Sequence, residues 1–280
     1  MNENKTQSYS DQWPIQVTNH HTQSIRAQNG IESNDFWQKY AKDFRSDPFR
    51  TNDLVVNRLL REIDGSKSLL DVGGGAGRLA LPLSFKAQHV TVLDSSESML
   101  KQLNESLVEF NIKNICPIKG TWEETVVGVE DIVLCSHVTY SITDIKFFID
   151  KLISSANEAV IILGFFDAPQ TFLAPLWERV HKEERVNLPG LSDLINVLWE
   201  LGYYPNLEVL SIEPPPAFES MENAINDLRN RLYVIPNSKK DVLLKDAARD
   251  LLATSDHGLS FIGSKNRALG LVRINTSFSS

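Results

Sequence analysis

Between Ser68 and Phe165, short apolar runs of strand length alternate with longer stretches whose apolar residues recur at helical spacing. The runs at 68–72, 89–93, 115–118, 131–135 and 159–165 read as strands with little polar surface to leave in water. Leu100, Leu103, Leu107 and Phe110, and then Ile145, Phe148, Ile149, Leu152 and Ile153, mark helices between them. Parallel strands need a crossover connection, and a helix supplies one while covering the sheet. Right-handed crossovers predict an α/β fold, a doubly wound and mostly parallel sheet with helices on both faces. Further runs at 207–212 and 268–274 bring the expected sheet to seven strands.

The flanks break the rhythm. Residues 1–30 are polar, with few aliphatics, and read as a flexible arm. Residues 31–280 read as a single domain. Two amphipathic helices over 34–64 form an N-terminal cap, the first carrying Phe36, Trp37, Tyr40, Ala41 and Phe44. Segment 166–189 mixes Pro169, Pro175 and Pro189 with Trp177, Arg179, His181 and Arg185. Segment 214–253 opens on Pro214-Pro215-Pro216, which bars helix and central strand alike, and continues as a helical insertion before the last strand.

Composition narrows the class. With 28 Lys plus Arg against 36 Asp plus Glu, the formal net charge is 28 − 36 = −8, and the longest basic block is Lys239-Lys240. Phosphate binding wants clustered cations, so nucleic acid is disfavoured as a partner. The longest apolar run, Ala159 to Phe166, has eight residues, against the roughly 20 that a membrane helix needs. The N-terminus lacks the apolar stretch of a signal peptide, which points to the cytoplasm. Cys116 and Cys135 read as buried thiols of a reducing compartment, and no metal-ligand spacing is present. Nothing in the chain specifies an oligomeric state.

The segment richest in chemistry is Leu69-Leu70-Asp71-Val72-Gly73-Gly74-Gly75-Ala76-Gly77-Arg78. A buried strand ends in an acid, glycines follow at 73, 74, 75 and 77, and a helix is expected from about Gly77. Glycines permit tight turning and close backbone approach to a ligand, and a helix N-terminus offers unpaired N–H groups to an anion. The dinucleotide fingerprint G-x-G-x-x-G fails, because Arg78 stands where a start at Gly73 needs glycine and Ala76 where a start at Gly74 does.

Acid-x-Gly-x-Gly-x-Gly instead resembles motif I of the class I S-adenosylmethionine-dependent methyltransferases. A second match strengthens it: Val92-Leu93-Asp94-Ser95-Ser96-Glu97-Ser98-Met99-Leu100 ends a strand in an acid and opens a helix, with Asp94 17 residues after Gly77. The resemblance implies S-adenosyl-L-methionine as cofactor, Asp94 as acceptor for the ribose hydroxyls beside Ser95, and Met99 against the adenine. A helix N-cap is the competing role for Asp94. Gly120-Thr121-Trp122-Glu123-Glu124 falls at the family's adenine loop. Thr121 replaces the usual Asp there, so backbone contacts from Thr121 and Trp122 are implied; Trp122 serves equally as a core anchor. Asp131 to Tyr140 resembles the motif IV strand and loop, which would turn Ser136, His137 and Tyr140 towards the methyl group or the acceptor.

Methyl transfer requires orientation and water exclusion more than a protein nucleophile. His137 is the candidate general base, with a loop histidine as its alternative. Trp37, Tyr40, Phe166 and Arg179 join His137 and Tyr140 as the expected acceptor pocket, shaped by the cap and by the insertions 166–189 and 214–253. The expectation is a cytoplasmic methyltransferase acting on a small organic molecule. A methyltransferase of tRNA or protein, or a non-catalytic adenosyl-ligand binding protein, are the alternatives. No Asn-Pro-Pro motif of DNA amino-methyltransferases is present, since Cys135-Ser136-His137-Val138 stands in its place.

Overall fold

The structure, a computed structural model, describes residues 7–28 and 40–276. The chain forms two compact units, one of 33–164, 198–211 and 270–280, the other of 1–32, 165–197 and 212–269. The insertions 166–189 and 214–253 carry enough apolar surface to build a second core.

The seven-stranded sheet contains β1 (Ser68–Val72), β2 (His89–Asp94), β3 (Ile115–Lys119), β4 (Glu130–Ser136), β5 (Ala156–Phe165), β6 (Asn206–Glu213) and β10 (Arg267–Asn275). Their order is β3-β2-β1-β4-β5-β10-β6. The pairs β1/β2, β1/β4, β2/β3 and β4/β5 are parallel. Every residue of β1 is buried, the apolar Leu69, Leu70 and Val72 together with Ser68 and Asp71. The order reverses at β1, where β2 lies on one side and β4 on the other. Right-handed crossovers therefore leave towards opposite faces, and a crevice opens at the carboxyl ends of the strands.

Three helices of this unit begin on side-chain caps. Asp53 Oδ1 accepts from Val55 N (2.9 Å) and Val56 N (3.0 Å) to start α2 (Leu54–Leu59). Ser96 Oγ accepts from Met99 N at 3.2 Å to start α4 (Glu97–Glu109). Asp144 Oδ1 accepts from Phe147 N at 3.0 Å to start α5 (Ile145–Ser154). The helix α3 (Ala80–Ser84) starts later than the expected Gly77, although Leu81 N already donates to the Gly77 carbonyl at 2.9 Å. Cys135, in central β4, is buried as expected, but Cys116 is exposed. It lies in β3, the sheet edge, which has a neighbouring strand on one side only.

The other unit holds α1 (Tyr9–Gln28), α6 (Ala174–His181), α8 (Met221–Arg231) and α9 (Lys239–Leu251), with α7 (Leu191–Glu200) entering it at its start. A three-stranded antiparallel sheet, β7 (Ala217–Phe218), β9 (Gly258–Phe261) and β8 (Leu252–Ser255), completes it. Its core gathers Leu176, Trp177, Leu228, Leu232, Leu244 and Ala248. Buried Asp241 binds Arg229 through both oxygens, at 2.7 and 3.0 Å, and ties α8 to α9.

The expected flexible arm is a twenty-residue helix over 9–28 instead. Trp13, Val17, His20, Ser24 and Ala27 form its buried stripe. Its anchor is Arg185, which donates to the His20 carbonyl (3.1 Å), Gln23 Oε1 (3.2 Å) and Ser24 Oγ (2.7 Å) and stacks 3.8 Å over the Trp177 ring. His20 Nδ1 lies 2.7 Å from the Val186 carbonyl and Nε2 2.7 Å from Arg185. Only a neutral ring with its proton on Nδ1 satisfies both. The first cap helix lies mostly outside the described residues, and its end is a short 3-10 turn, Ala41–Phe44. Among the described residues, no helix is long and apolar enough to cross a membrane.

Candidate functional site

A cavity of about 380 Å³ opens at the carboxyl ends of β1, β2 and β4. All its lining residues come from the unit containing the seven-stranded core. The glycine turn forms its floor. Gly73 has φ +71, and a Cβ there would stand 2.4 Å from Val138 Cγ2, so only glycine lets this turn pass under the loop after β4. At Gly74 a Cβ would meet Asp71 Oδ2 at 2.6 Å, so the backbone lies directly against the carboxyl group.

Asp94 links the second strand to this turn. Its Oδ2 accepts from Gly75 N at 2.9 Å and its Oδ1 from Ser96 N at 2.8 Å. The capping role is thus Ser96's, and Asp94 holds the glycine turn. Asp71 is only 1% exposed, and its Oδ1 accepts no hydrogen bond. Burial, reinforced by the Asp94 charge and opposed by Arg78, pushes its carboxyl up to about 7. Arg78 in turn bonds Asp53 Oδ2 at 3.2 Å, while Arg50 Nη2 donates to the Arg78 carbonyl at 2.6 Å. These bonds pin the end of the turn.

The structure gathers Asp71, Gly73, Gly74, Gly75, Asp94, Ser95, Met99, Thr121, Trp122, Ser136 and His137 around one cavity. Trp122 is both wall and anchor: it is buried, it donates its indole N–H to the Phe148 carbonyl at 3.3 Å, and Lys151 Nζ lies 4.7 Å from its ring centroid. Gly77 is not in the lining; at φ +82 it packs against Leu103 and Leu81. His137 is exposed, with φ +59, and its Nδ1 lies 3.0 Å from Tyr140 Oη. Its backbone N–H donates to the Leu163 carbonyl at 2.9 Å. Tyr140 is buried behind it rather than lining the cavity. Burial raises the Cys135 thiol well above its ordinary range, which leaves it a packing residue.

The expected acceptor residues are not brought together. Tyr40 is half-buried before the 3-10 turn and is absent from the lining. Phe166 and Arg179 belong to the other unit, where Arg179 pairs with Asp250 at 2.6 Å. Trp37 lies outside the described residues. The lining contains Phe44, Val138, Ile142 and Phe148, which the sequence reading did not single out for the site. The expected helical face of 34–44 ended on Phe44, and that was its only signal.

The donor set fits an adenosyl amino-acid ligand: a cradle closed to Cβ atoms, an acceptor fork at Asp94, and an orphaned buried carboxyl at Asp71. Among the described residues, no group of three His, Cys, Asp or Glu side chains could hold a metal ion.

No protein-family model matches the chain. An uncharacterized protein of Haemophilus influenzae is 26% identical over 178 residues, covering 62% of this chain and 64% of that one. The chain thus spans just under two thirds of that relative's length. A ribosomal RNA small subunit methyltransferase G of Neisseria meningitidis is 24% identical over 167 residues, covering 56% of this chain and 80% of that one. Among solved structures, a SAM-dependent methyltransferase from Thiobacillus denitrificans in complex with S-adenosyl-L-homocysteine superposes with a TM-score of 0.53 at 13% identity. That match covers 87% of this chain and 98% of the other. YjhP of Escherichia coli gives 0.55 at 13% identity, covering 85% and 98%. The chain has the class I methyltransferase fold.

Proposed function

We propose that this chain is an S-adenosylmethionine-dependent methyltransferase that binds its cofactor in the cavity at the ends of β1, β2 and β4. The observation that carries the reading is the joint presence there of the glycine turn, the Asp94 fork and the orphaned Asp71 carboxyl. Asp94 accepts from the ribose hydroxyls, Met99 packs against the adenine, and the backbone at Thr121 and Trp122 borders the base. The backbone of the glycine turn borders the ligand's carboxylate, and Asp71 faces its ammonium. The cofactor supplies an electrophilic methyl group on a sulfonium. The chain's own work is to orient the acceptor and exclude water, through Phe44, Trp122, Val138, Ile142 and Phe148. His137 accepts the acceptor's proton where one must leave, with Tyr140 holding the ring.

The acceptor is a small organic molecule: the lining is rich in aromatic and aliphatic side chains, and the chain is acidic overall. The curated relatives named as ribosomal RNA methyltransferases favour a second reading, an RNA acceptor. Calorimetric titration with S-adenosylmethionine and with NADH tests the cofactor. Tight NADH binding without S-adenosylmethionine binding overturns the reading. Transfer of labelled methyl to a panel of small phenols, amines and thiols, run beside small-subunit ribosomal RNA, decides the acceptor. Label in the RNA alone replaces the first reading with the second.

A further inference from the structure

Among the described residues, Asp71 Oδ1, Arg267 Nε and Thr276 Oγ1 are buried without a hydrogen-bond partner, and of these only Asp71 lines the cavity. It lies on β1 in register between Val92 of β2 and Leu134 of β4, 1% exposed. The charged and titratable groups facing it are Asp94 from β2, buried Cys135 from β4 and Arg78 from the glycine turn. Arg78 is committed to Asp53. His137 and Glu123 are the other titratable groups lining the cavity. A buried carboxylate with no partner and a second carboxylate nearby is costly, and protonation removes the cost. Among the described residues, Arg78 is the cation that acts on it, and its guanidinium is held by Asp53.

We propose that Asp71 is a carboxylic acid in the ligand-free site and exchanges its proton for a positive charge on the ligand, so that a cationic adenosyl ligand displaces one proton to solvent. The exchange balances: the acid loses H⁺ to water, and the ligand's ammonium, already protonated in solution, becomes the counter-charge of the carboxylate. No bond to the ligand forms or breaks. Asp71 is then a specificity-determining residue. It favours adenosyl ligands that carry an amino-acid ammonium over neutral adenosyl thioethers, and it makes that preference depend on pH. The inference rests on the cavity being the S-adenosylmethionine site.

Calorimetry of the whole chain in pairs of buffers with different ionisation enthalpies reads the proton directly. With the carboxyl poised near 7, S-adenosylmethionine binding is expected to release about 0.9 proton at pH 6 and about 0.5 at pH 7. Apparent affinity should rise about fivefold over that step. Methylthioadenosine, which lacks the amino-acid group, should release none. Asp71→Asn should abolish the release and the pH step, whereas His137→Gln should keep both. Should Asp71→Asn fail to fold, the wild-type proton counts and the methylthioadenosine comparison decide alone. S-adenosylmethionine binding with no proton release, or equal release by both ligands, overturns the inference and leaves the site standing. Absence of binding by either ligand overturns the reading of the site itself.

Discussion

Gly73→Ala tests whether the glycine turn is held as rigidly as its geometry requires. Two costs add. At φ +71 a side chain meets the left-handed penalty, about 1–2 kcal/mol for an L-residue. The new Cβ would also lie 2.4 Å from Val138 Cγ2, where carbon contacts settle at roughly 3.5–4.0 Å. Overpacking of that kind costs about 1–3 kcal/mol. The sum, roughly 2–5 kcal/mol, is a large part of the 5–15 kcal/mol typical of a domain. Guanidinium unfolding followed by hydrogen exchange of the β1, β2 and β4 peptides assigns the loss to the right unit. The double variant Gly73→Ala/Val138→Ala removes the clash and keeps the backbone strain. A coupling of about 1–3 kcal/mol is therefore expected, with about 1–2 kcal/mol of Gly73→Ala's cost remaining. A Gly73→Ala protein within about 0.5 kcal/mol of wild type, or strictly additive variants, would refute the reasoning, because the turn would then be soft enough to move.

Three further outcomes follow from the same structure. Asp94→Ala should weaken S-adenosylmethionine binding by about 1.5–3 kcal/mol, the range for hydrogen bonds to a charged group; unchanged calorimetric affinity would confine Asp94 to holding the turn. Burial, then the Arg185 charge, lower His20 to about 4 from 6.5, so the unfolded chain binds the extra proton and stability is complete above pH 6.5 and lost as pH falls towards 4. The loss should reach about 2–3 kcal/mol, read as the drop in denaturant midpoint for wild type between pH 7 and pH 4.5 that His20→Gln lacks; equal drops in both would refute it. Ellman's reagent should titrate one thiol in the native protein, exposed Cys116, and buried Cys135 only after unfolding; two fast thiols would contradict the burial.

The parallel core was legible because its signals are local. The central strands β1, β4 and β5 were visible as apolar runs because they are buried on both faces, and the outer β6 because its apolar residues still recur along a short segment. The cofactor side of the site was legible for a related reason. Gly73, Gly74, Asp71 and Asp94 answer to backbone conformation and to the ends of strands, both fixed within a few residues. The acceptor side was not. Phe44, Val138, Ile142 and Phe148 line the cavity only because separate segments converge on the strand ends, and a lone aliphatic or aromatic residue looks the same in a core as in a pocket wall. The small sheet of β7, β8 and β9 escaped for want of length: its strands span two to four residues.

The helix over 9–28 shows how a polar stretch escapes pattern reading. Of its seven buried positions, Ser10, Trp13, Val17, His20, Ser24 and Ala27 follow spacings of three, four, three, four and three, with Gln23 beside Ser24, the period of any helix with one packed face. Four of the seven, Ser10, His20, Gln23 and Ser24, are polar, so a search for aliphatic stripes passes over them, and Pro14 within the helix weakens the pattern further. What makes the burial of His20, Gln23 and Ser24 tolerable lies over 160 residues away in sequence. Arg185 bonds His20 and Ser24 on one turn and Gln23 beside them, and the Val186 carbonyl accepts the hydrogen bond of His20 Nδ1–H. These three polar groups thereby regain partners, and Trp13 and Val17 contribute about 1.5–3 kcal/mol apiece by their own burial. Composition alone reports the polar groups and misses their partners. A helical period that includes His, Gln or Ser should therefore be read against the arginines elsewhere in the chain.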